Sequence, residues 1–290
     1  MKRQFSSVDI HYMCKELSQL KDSRIDKIYH PEHDVVLISL FKSNEGKKLL
    51  KVKIGIGLYL CDAKDEGDTL GFGMLLRKHL DGYFLEEIEQ VNSERIVKLT
   101  FANKETKKLL YFEFFGKGNA ILCDSSNMII NALDHAEFKD RTVKPKEQYK
   151  WPVQKNNFFE INEKELRQAF LESKKESIVK CLATDLGLGG LYSEEVCFIS
   201  GINKNESPKD LIEKEISKVH EAIKEIFSKK IDAVVFLEDS NVKDFSPFTT
   251  QVILGKETMN FERFSQACDY FYLQFKEEKK TEYDRKIEEL

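Results

Sequence analysis

FLEEIEQVNSERIVKLTFANKETKKLLYFEFFGKGNAILCD, residues 84–124, is a run of short apolar and alternating stretches cut at close intervals by turn formers. The pieces FLEEIEQ, RIVKLTF, KLLYFEFF and NAILCD are divided by Asn92-Ser93-Glu94, Ala102-Asn103-Lys104 and Gly116-Lys117-Gly118. β-Branched and aromatic residues between such breaks read as strands, and connections this short demand antiparallel neighbours. The same grammar extends both ways. Upstream, RIDKIYH, VVLISLF, KKLLKVKI and GLYL are separated by Pro31-Glu32-His33-Asp34, Asn44-Glu45-Gly46 and Gly55/Gly57; downstream, MIINALD follows Asp124-Ser125-Ser126-Asn127.

Helices interrupt this meander twice. Ser6 is placed to cap a first helix with Asp9 at its third position, and Ile10, Met13, Cys14, Leu17 and Leu20 recur at helical spacing until Lys21-Asp22-Ser23. FGMLLRKHLDG (72–82) reads as a second, stopped by Gly82, with Met74, Leu75 and Leu80 facing a core and Arg77, Lys78 and His79 on or near the other face. Residues 1–155 therefore read as a β-rich domain in an α+β chain, closed by a polar, aperiodic strap from about 139.

Beyond the strap the pattern becomes helical. Asn162 with Glu165 opens a helix expected to run to Gly187, and Gly187-Leu188-Gly189-Gly190 turns tightly into YSEEVCFIS, ended by Gly201. Residues 156–206 thus form a helix-hairpin-helix region. Residues 207–275 read as a helical and mixed α/β segment: a helix opening at Ser207-Pro208, a strand AVVFL and a helix FSQACDYFYLQF. The nearly all-charged residues 276–290 suit the start of a coiled coil.

Composition narrows the function. The six cysteines are scattered with no C-x-x-C pair, the six histidines lack metal-ligand spacing, and no nucleophile-elbow or phosphate-loop motif is present. Small-molecule catalysis, a cofactor, a metal site and a disulfide framework are therefore not expected. Neither an apolar leader nor a membrane-length apolar run is found, so a cytoplasmic protein with reduced, buried thiols is expected. With 46 basic against 50 acidic side chains the net charge is −4, so any grip on nucleic acid has to be local.

The local candidates are few. Glycines at 187, 189 and 190 allow a turn whose backbone amides, with the following helix N-terminus, can meet a phosphate oxygen. The same glycines also suit a plain helical hairpin. Glu94-Arg95 at a strand start can aim a guanidinium fork at a phosphate or base edge, or can simply be a solvated strand end. Arg77 and Lys78 are candidate backbone contacts on the second helix. Asp9 is either a polar contact or a structural cap.

Taken in order, SSVDI (6–10), RIDKIY (24–29), GMLLRKHLDG (73–82), IEQVNSERIVKLTF (88–101), GKGNAILCD (116–124), RTVKPKEQYKWP (141–152), LGLGGLYSEEVCFISGINKN (186–205), DFSPF (244–248) and FSQACDYF (264–271) resemble the NFACT family, also known as fibronectin-binding protein A-like. The resemblance implies a β-rich N-terminal domain similar to that of formamidopyrimidine-DNA glycosylases, a helix-hairpin-helix region, and a coiled-coil middle domain. It also implies binding to tRNA, to rRNA and to the large ribosomal subunit carrying a stalled nascent chain. In several members tRNA is recruited for message-independent tail elongation. An N-terminal acid and an Asp-Arg pair serve tRNA engagement there, and these fall on Asp9 and on Glu94-Arg95, with Glu where Asp is usual. Two rival readings fit the sequence less well. One is an extracellular-matrix adhesin, ill suited to free cysteines. The other is a DNA glycosylase, whose N-terminal proline nucleophile has no counterpart in Met1-Lys2.

Overall fold

A computed structural model describes residues 4–62, 69–152 and 157–274. The predicted coiled coil at 276–290 lies outside the described residues.

Helix α1 (Ser7–Leu17) is closed at its start by a complete capping box between Ser6 and Asp9. It leads into the meander β1 (Arg24–Glu32), β2 (Val35–Lys42), β3 (Gly46–Lys53) and β4 (Gly57–Cys61). After α2 (Gly71–Leu80), the second meander is β5 (Phe84–Gln90), β6 (Ile96–Ala102), β7 (Lys107–Glu113), β8 (Asn119–Asp124) and β9 (Ile129–Ala132). Together these strands form one nine-stranded antiparallel sheet in the order β4-β3-β2-β1-β5-β6-β7-β8-β9. The two meanders meet at a weak seam, since β1 and β5 share only the pairing of Arg24 with Phe84.

The turns at the two ends of the sheet touch. A Cβ on Gly118, between β7 and β8, would collide with the backbone of Gly55, between β3 and β4. Both glycines also hold positive φ, +77° and +73°. Helix α1 packs against β4 and β5, bridging the two meanders, and α2 packs on β1.

Strand β7 shows why five consecutive residues, Leu109 to Glu113, can all be buried. Leu110 and Phe112 point into the main core, while Leu109 and Tyr111 join a second cluster with Ile121, Cys123, Val143 and Tyr149. The strap, with the short strands β10 (Ala136–Glu137) and β11 (Thr142–Val143), supplies that outer cover. It is pinned by a buried set in which Arg141 Nη2 donates to Glu113 at 3.0 Å and Tyr149 donates its hydroxyl to Glu113 at 2.8 Å.

The second half of the chain is helices and a small sheet: α3 (Glu163–Glu172), α4 (Ile178–Lys180) running into a π-helical turn (Cys181–Asp185), α5 (Gly190–Ser200), α6 (Glu213–Ser228), then β12 (Ala233–Glu238), β13 (Asn241–Ser246) and β14 (Thr258–Phe261). These last strands pair in the order β13-β12-β14. The closing helix, described for residues 264–274, packs back on the start of the chain. Glu16 accepts from the amides of Phe264 at 2.6 Å and Ser265 at 3.1 Å, Tyr272 stacks on Tyr59 at 5.5 Å, and Phe264 lies 6.2 Å from Phe5. The main core contains residues from Phe5 to Phe271. All six cysteines are free and buried.

Three sequence expectations need correction. The helix expected from Asn162 to Gly187 breaks after Glu172, because the Ser173 hydroxyl donates to Asp185 at 2.7 Å and accepts from the Lys175 amide at 3.1 Å, drawing the backbone off its helical path. The helix expected to open at Ser207-Pro208 begins at Glu213 instead, since Glu215 caps the Ile212 amide at 2.9 Å while residues 208–210 form a turn. Met74, expected inside, is 53% exposed; Phe72, Gly73, Leu76 and Leu80 carry the buried face of α2.

Gly118→Ala is expected to destabilise the protein by more than about 1 kcal/mol, because the substitution adds both left-handed strain and a backbone collision. Gly82→Ala, also at positive φ but with open space around it, should cost less. Urea unfolding of the two variants side by side measures the difference.

Candidate nucleotide-binding site

A cavity of about 730 Å³ opens where the start of α1, the β5–β6 turn and the start of α5 converge. Asp9, Glu94, Arg95, Gly187, Gly189 and Gly190, taken from three separate stretches of chain, all line it. Arg77 and Lys78 do not. Arg77 donates Nε–H to the Ile28 carbonyl at 2.5 Å and Nη2–H to Thr69 at 2.8 Å, with its guanidinium over Tyr29 at 5.6 Å, so its fork is already committed. Lys78 is exposed on α2.

Asp9 is fully buried and holds the site together. Its Oδ2 accepts from the Ser6 amide at 2.7 Å and its Oδ1 from the Tyr192 hydroxyl at 2.6 Å. A buried carboxylate needs such donors, and here they tie the first turn of α1 to the first turn of α5. Burial, and then the Asp9 charge, push the Tyr192 phenol well above its ordinary pKa, keeping it a donor. The β5–β6 turn is fastened to the same helix end. Gln90 Nε2 donates to Ser7 Oγ at 2.7 Å and to the Glu94 carbonyl at 2.9 Å, and Ser7 Oγ donates to the Ser93 carbonyl.

Glu94 and Arg95 are half-buried on the wall so formed. Burial raises the Glu94 pKa against the opposing pull of Arg95, and burial lowers that of Arg95 against the opposing pull of Glu94. Nη1 of Arg95 donates to Gln4 at 2.8 Å, its hydrogen-bond partner among the described residues. A guanidinium with most of its donors unspent, in a partly dry cavity, is set to meet a ligand.

The glycine turn behaves differently from the sequence expectation. The Leu188 and Gly189 amides fold back onto the carbonyls of Leu182, at 3.1 Å, and Ala183, at 3.3 Å, so they do not face outward. What does open on the cavity is the start of α5 itself. Its cap residue Gly189 offers no side chain, and the first hydrogen bond made by an α5 amide to the cap runs from Ser193 to the Gly189 carbonyl. Among the described residues the amides of Gly190, Leu191 and Tyr192 are thus left for a ligand or water. Gly189 has φ +82°, and a Cβ there would lie 2.9 Å from that of Ser6; Gly190 has open space. The first glycine is required by conformation, the second leaves the helix end uncovered.

The lining also includes Asp185 and Asp244, which the sequence reading did not single out. With Asp9 and Glu94 that makes four carboxylates against one guanidinium. Asp185 directly precedes the Leu-Gly-Leu-Gly-Gly turn, and Asp244 comes from β13. The cavity is therefore an acidic one with a cationic point at Arg95 and a helix N-terminus on one side. Such a set offers acceptors for amino groups as well as donors for oxygens, which matches the edge of a nucleobase better than phosphate alone.

A family model described as NFACT N-terminal and middle domains matches residues 6–288. The chain is similar to the archaeal Rqc2 homolog aRqcH of Methanocaldococcus jannaschii, 32% identical over 95% of this chain and 43% of that protein. It is also similar to the ribosome quality control complex subunit NEMF of Mus musculus, 26% identical over 94% of this chain and 28% of that protein. The chain thus spans less than half the length of these curated relatives. Among solved structures, the fibrinogen binding protein from Staphylococcus aureus shares the fold, with a TM-score of 0.76 and 20% identity, covering 92% of this chain and 98% of that one. Among the described residues no helix is long and apolar enough to cross a membrane.

Asp9→Ala removes a capping box and strands the buried Tyr192 hydroxyl, so a loss of about 2–4 kcal/mol is expected in chemical unfolding. Glu94→Gln should act oppositely. The folded protein holds the Glu94 proton more tightly than the unfolded chain does, so its contribution to stability falls as pH rises through the interval between the ordinary and the raised carboxyl pKa. Between pH 4 and pH 7 the Gln variant should gain stability relative to wild type; parallel thermal melts across that range read the sign.

Proposed function

Because the chain belongs to the NFACT family, we propose that it is a ribosome quality-control factor that engages tRNA, and with it the large ribosomal subunit and its rRNA, through the cavity between α1, the β5–β6 turn and α5. The observation that carries this reading is the convergence itself. Asp9, Glu94 with Arg95, and the glycines at 187, 189 and 190 meet around one cavity, and the resemblance of the sequence assigns the first three of these residues to tRNA engagement.

The chemistry supports an unpaired nucleotide as the occupant. Proteins read RNA sequence mainly in single-stranded loops and ends, where base edges are free. Arg95 supplies a donor fork to a base oxygen or ring nitrogen, while Glu94, Asp185 and Asp244 supply acceptors for exocyclic amino groups. The uncapped amides of α5 take the adjoining phosphate. In this reading α4 with its π-helical turn, the bend at Leu186–Gly189 and α5 act as the helix-hairpin-helix element, gripping backbone while the β5–β6 turn reads the base. Specificity then comes from the wall bearing Arg95, and affinity from the helix end. Glu94 in place of the usual Asp keeps the charge and sets it about one methylene farther out, so the pocket accepts the same edge from a slightly greater distance. Message-independent tail elongation belongs to this proposal as the downstream use of the bound tRNA.

Fluorescence anisotropy with bulk deacylated tRNA at two salt concentrations provides the test. Arg95→Ala should weaken binding about 5- to 150-fold, the range of one good bidentate base contact, with the salt slope unchanged. Gly190→Asp places a carboxylate on the first turn of α5, where it favours the helix and repels phosphate. That variant should melt no lower than wild type, yet bind more weakly and with a salt slope flatter by about one unit. Wild-type affinity in both variants would remove the cavity from RNA binding.

A further inference from the structure

A second cavity, of about 520 Å³, is formed by the next turns of α1 and the β5–β6 region. His11 and Lys15 of α1, Gln90 and Asn92 of the β5–β6 region, and Asn157 and Phe159 after the strap line it. The two cavities share their framework. Successive turns of α1 face first one and then the other, and the Gln90 side chain that lines the second binds Ser7 and Glu94, which line the first.

The chemistry of the two differs. In the second, one ammonium and one carboxylate, Lys15 and Glu160, sit at exposed positions, and the remaining lining is aromatic, amide, hydroxyl, thiol or aliphatic. His11 is neutral at physiological pH, since burial and then the Lys15 charge bring its pKa down to about 4. Phe159 leaves 37% of its surface exposed although its ring is held on three sides, 5.1 Å from His11, 5.0 Å from Phe158 and 5.1 Å from Phe227. An aromatic side chain fixed in place and left uncovered beside amides and one cation is a stacking platform.

We infer that this second cavity takes the nucleotide adjacent to the one in the first cavity: its base stacks on Phe159, its edge meets the amides of Asn92 and Asn157, and its phosphate faces Lys15. The inference rests on the RNA-binding reading of the first cavity and deepens it. The β5–β6 turn then acts as a divider, over which a single strand passes with consecutive bases turned to either side. Carboxylate-rich and amide-rich walls select different bases, so the pair of cavities reads a dinucleotide rather than a single position. Stacking itself tolerates any base, because every base has a π-face.

The test uses the whole chain, bulk deacylated tRNA as probe, and the variants Phe159→Ala, Phe159→Trp and Arg95→Ala, each with a thermal melt. Phe159→Ala should weaken binding about 5- to 150-fold, the range for one lost base stack, and Phe159→Trp should bind at least as tightly as wild type. Wild-type affinity in Phe159→Ala, with Arg95→Ala impaired, overturns the second subsite and leaves the first cavity standing. Equal weakening of the Ala and Trp variants with matching losses in melting temperature also overturns it, since the ring then serves packing alone. A wild-type chain that does not bind tRNA removes both readings together.

Discussion

A single buried carboxylate, that of Asp9, sets the geometry on which the rest depends. It satisfies the open end of one helix and anchors the first turn of another through the Tyr192 hydroxyl. Ionised groups inside a protein persist only where donors replace the lost water, and here those donors belong to elements far apart in the chain. The Tyr192–Asp9 hydrogen bond thus joins the first turns of α1 and α5 at the main cavity. This also divides the labour among the acids around that cavity. Asp9 is spent on architecture, so in the proposed reading ligand contact falls to Glu94, Arg95, Asp185, Asp244 and the helix end.

The electrostatic character of the site follows from what surrounds it. A chain of net charge −4 has no excess of cations to spread over a surface, and the cavity is richer in carboxylates than in guanidinium. Local attraction for an anion comes from backbone dipoles at α5 and from a partly desolvated Arg95, both of short reach. In the proposed reading such an arrangement holds a nucleotide that has already been placed, rather than collecting polyanions from a distance.

Strands and caps could be read from the sequence because their causes are local. Alternating apolar residues between Gly, Asn and Asp breaks marked both meanders, Ser6 with Asp9 and Asn162 with Glu165 marked two helix starts, and Gly201 in the left-handed conformation ended α5. The failures share a different origin. Ser173 breaks a helix by way of Asp185, twelve residues on; Arg77 turns inward to a carbonyl on β1; Asp244 reaches the cavity from a strand formed at the far end of the chain. Period and propensity carry no information about partners that tertiary structure brings. The candidate residues themselves could be named in advance, yet not that Asp9, Glu94, Arg95 and the glycine turn would share one space while Arg77 and Lys78 lay elsewhere.

The closing helix adds a temporal dimension. Its first amides are held by Glu16, and its rings cover Phe5 and Tyr59, so the earliest and latest parts of the described chain complete one another. During synthesis the N-terminal apolar surface stays uncovered until residues 264–272 have cleared the exit tunnel, well after both meanders could pair. A nascent copy arrested short of Phe264 carries exposed Phe and Tyr side chains and a Glu16 carboxylate without its amide donors. Under the proposed reading, such an unfinished copy is itself a client of the factor it would have become.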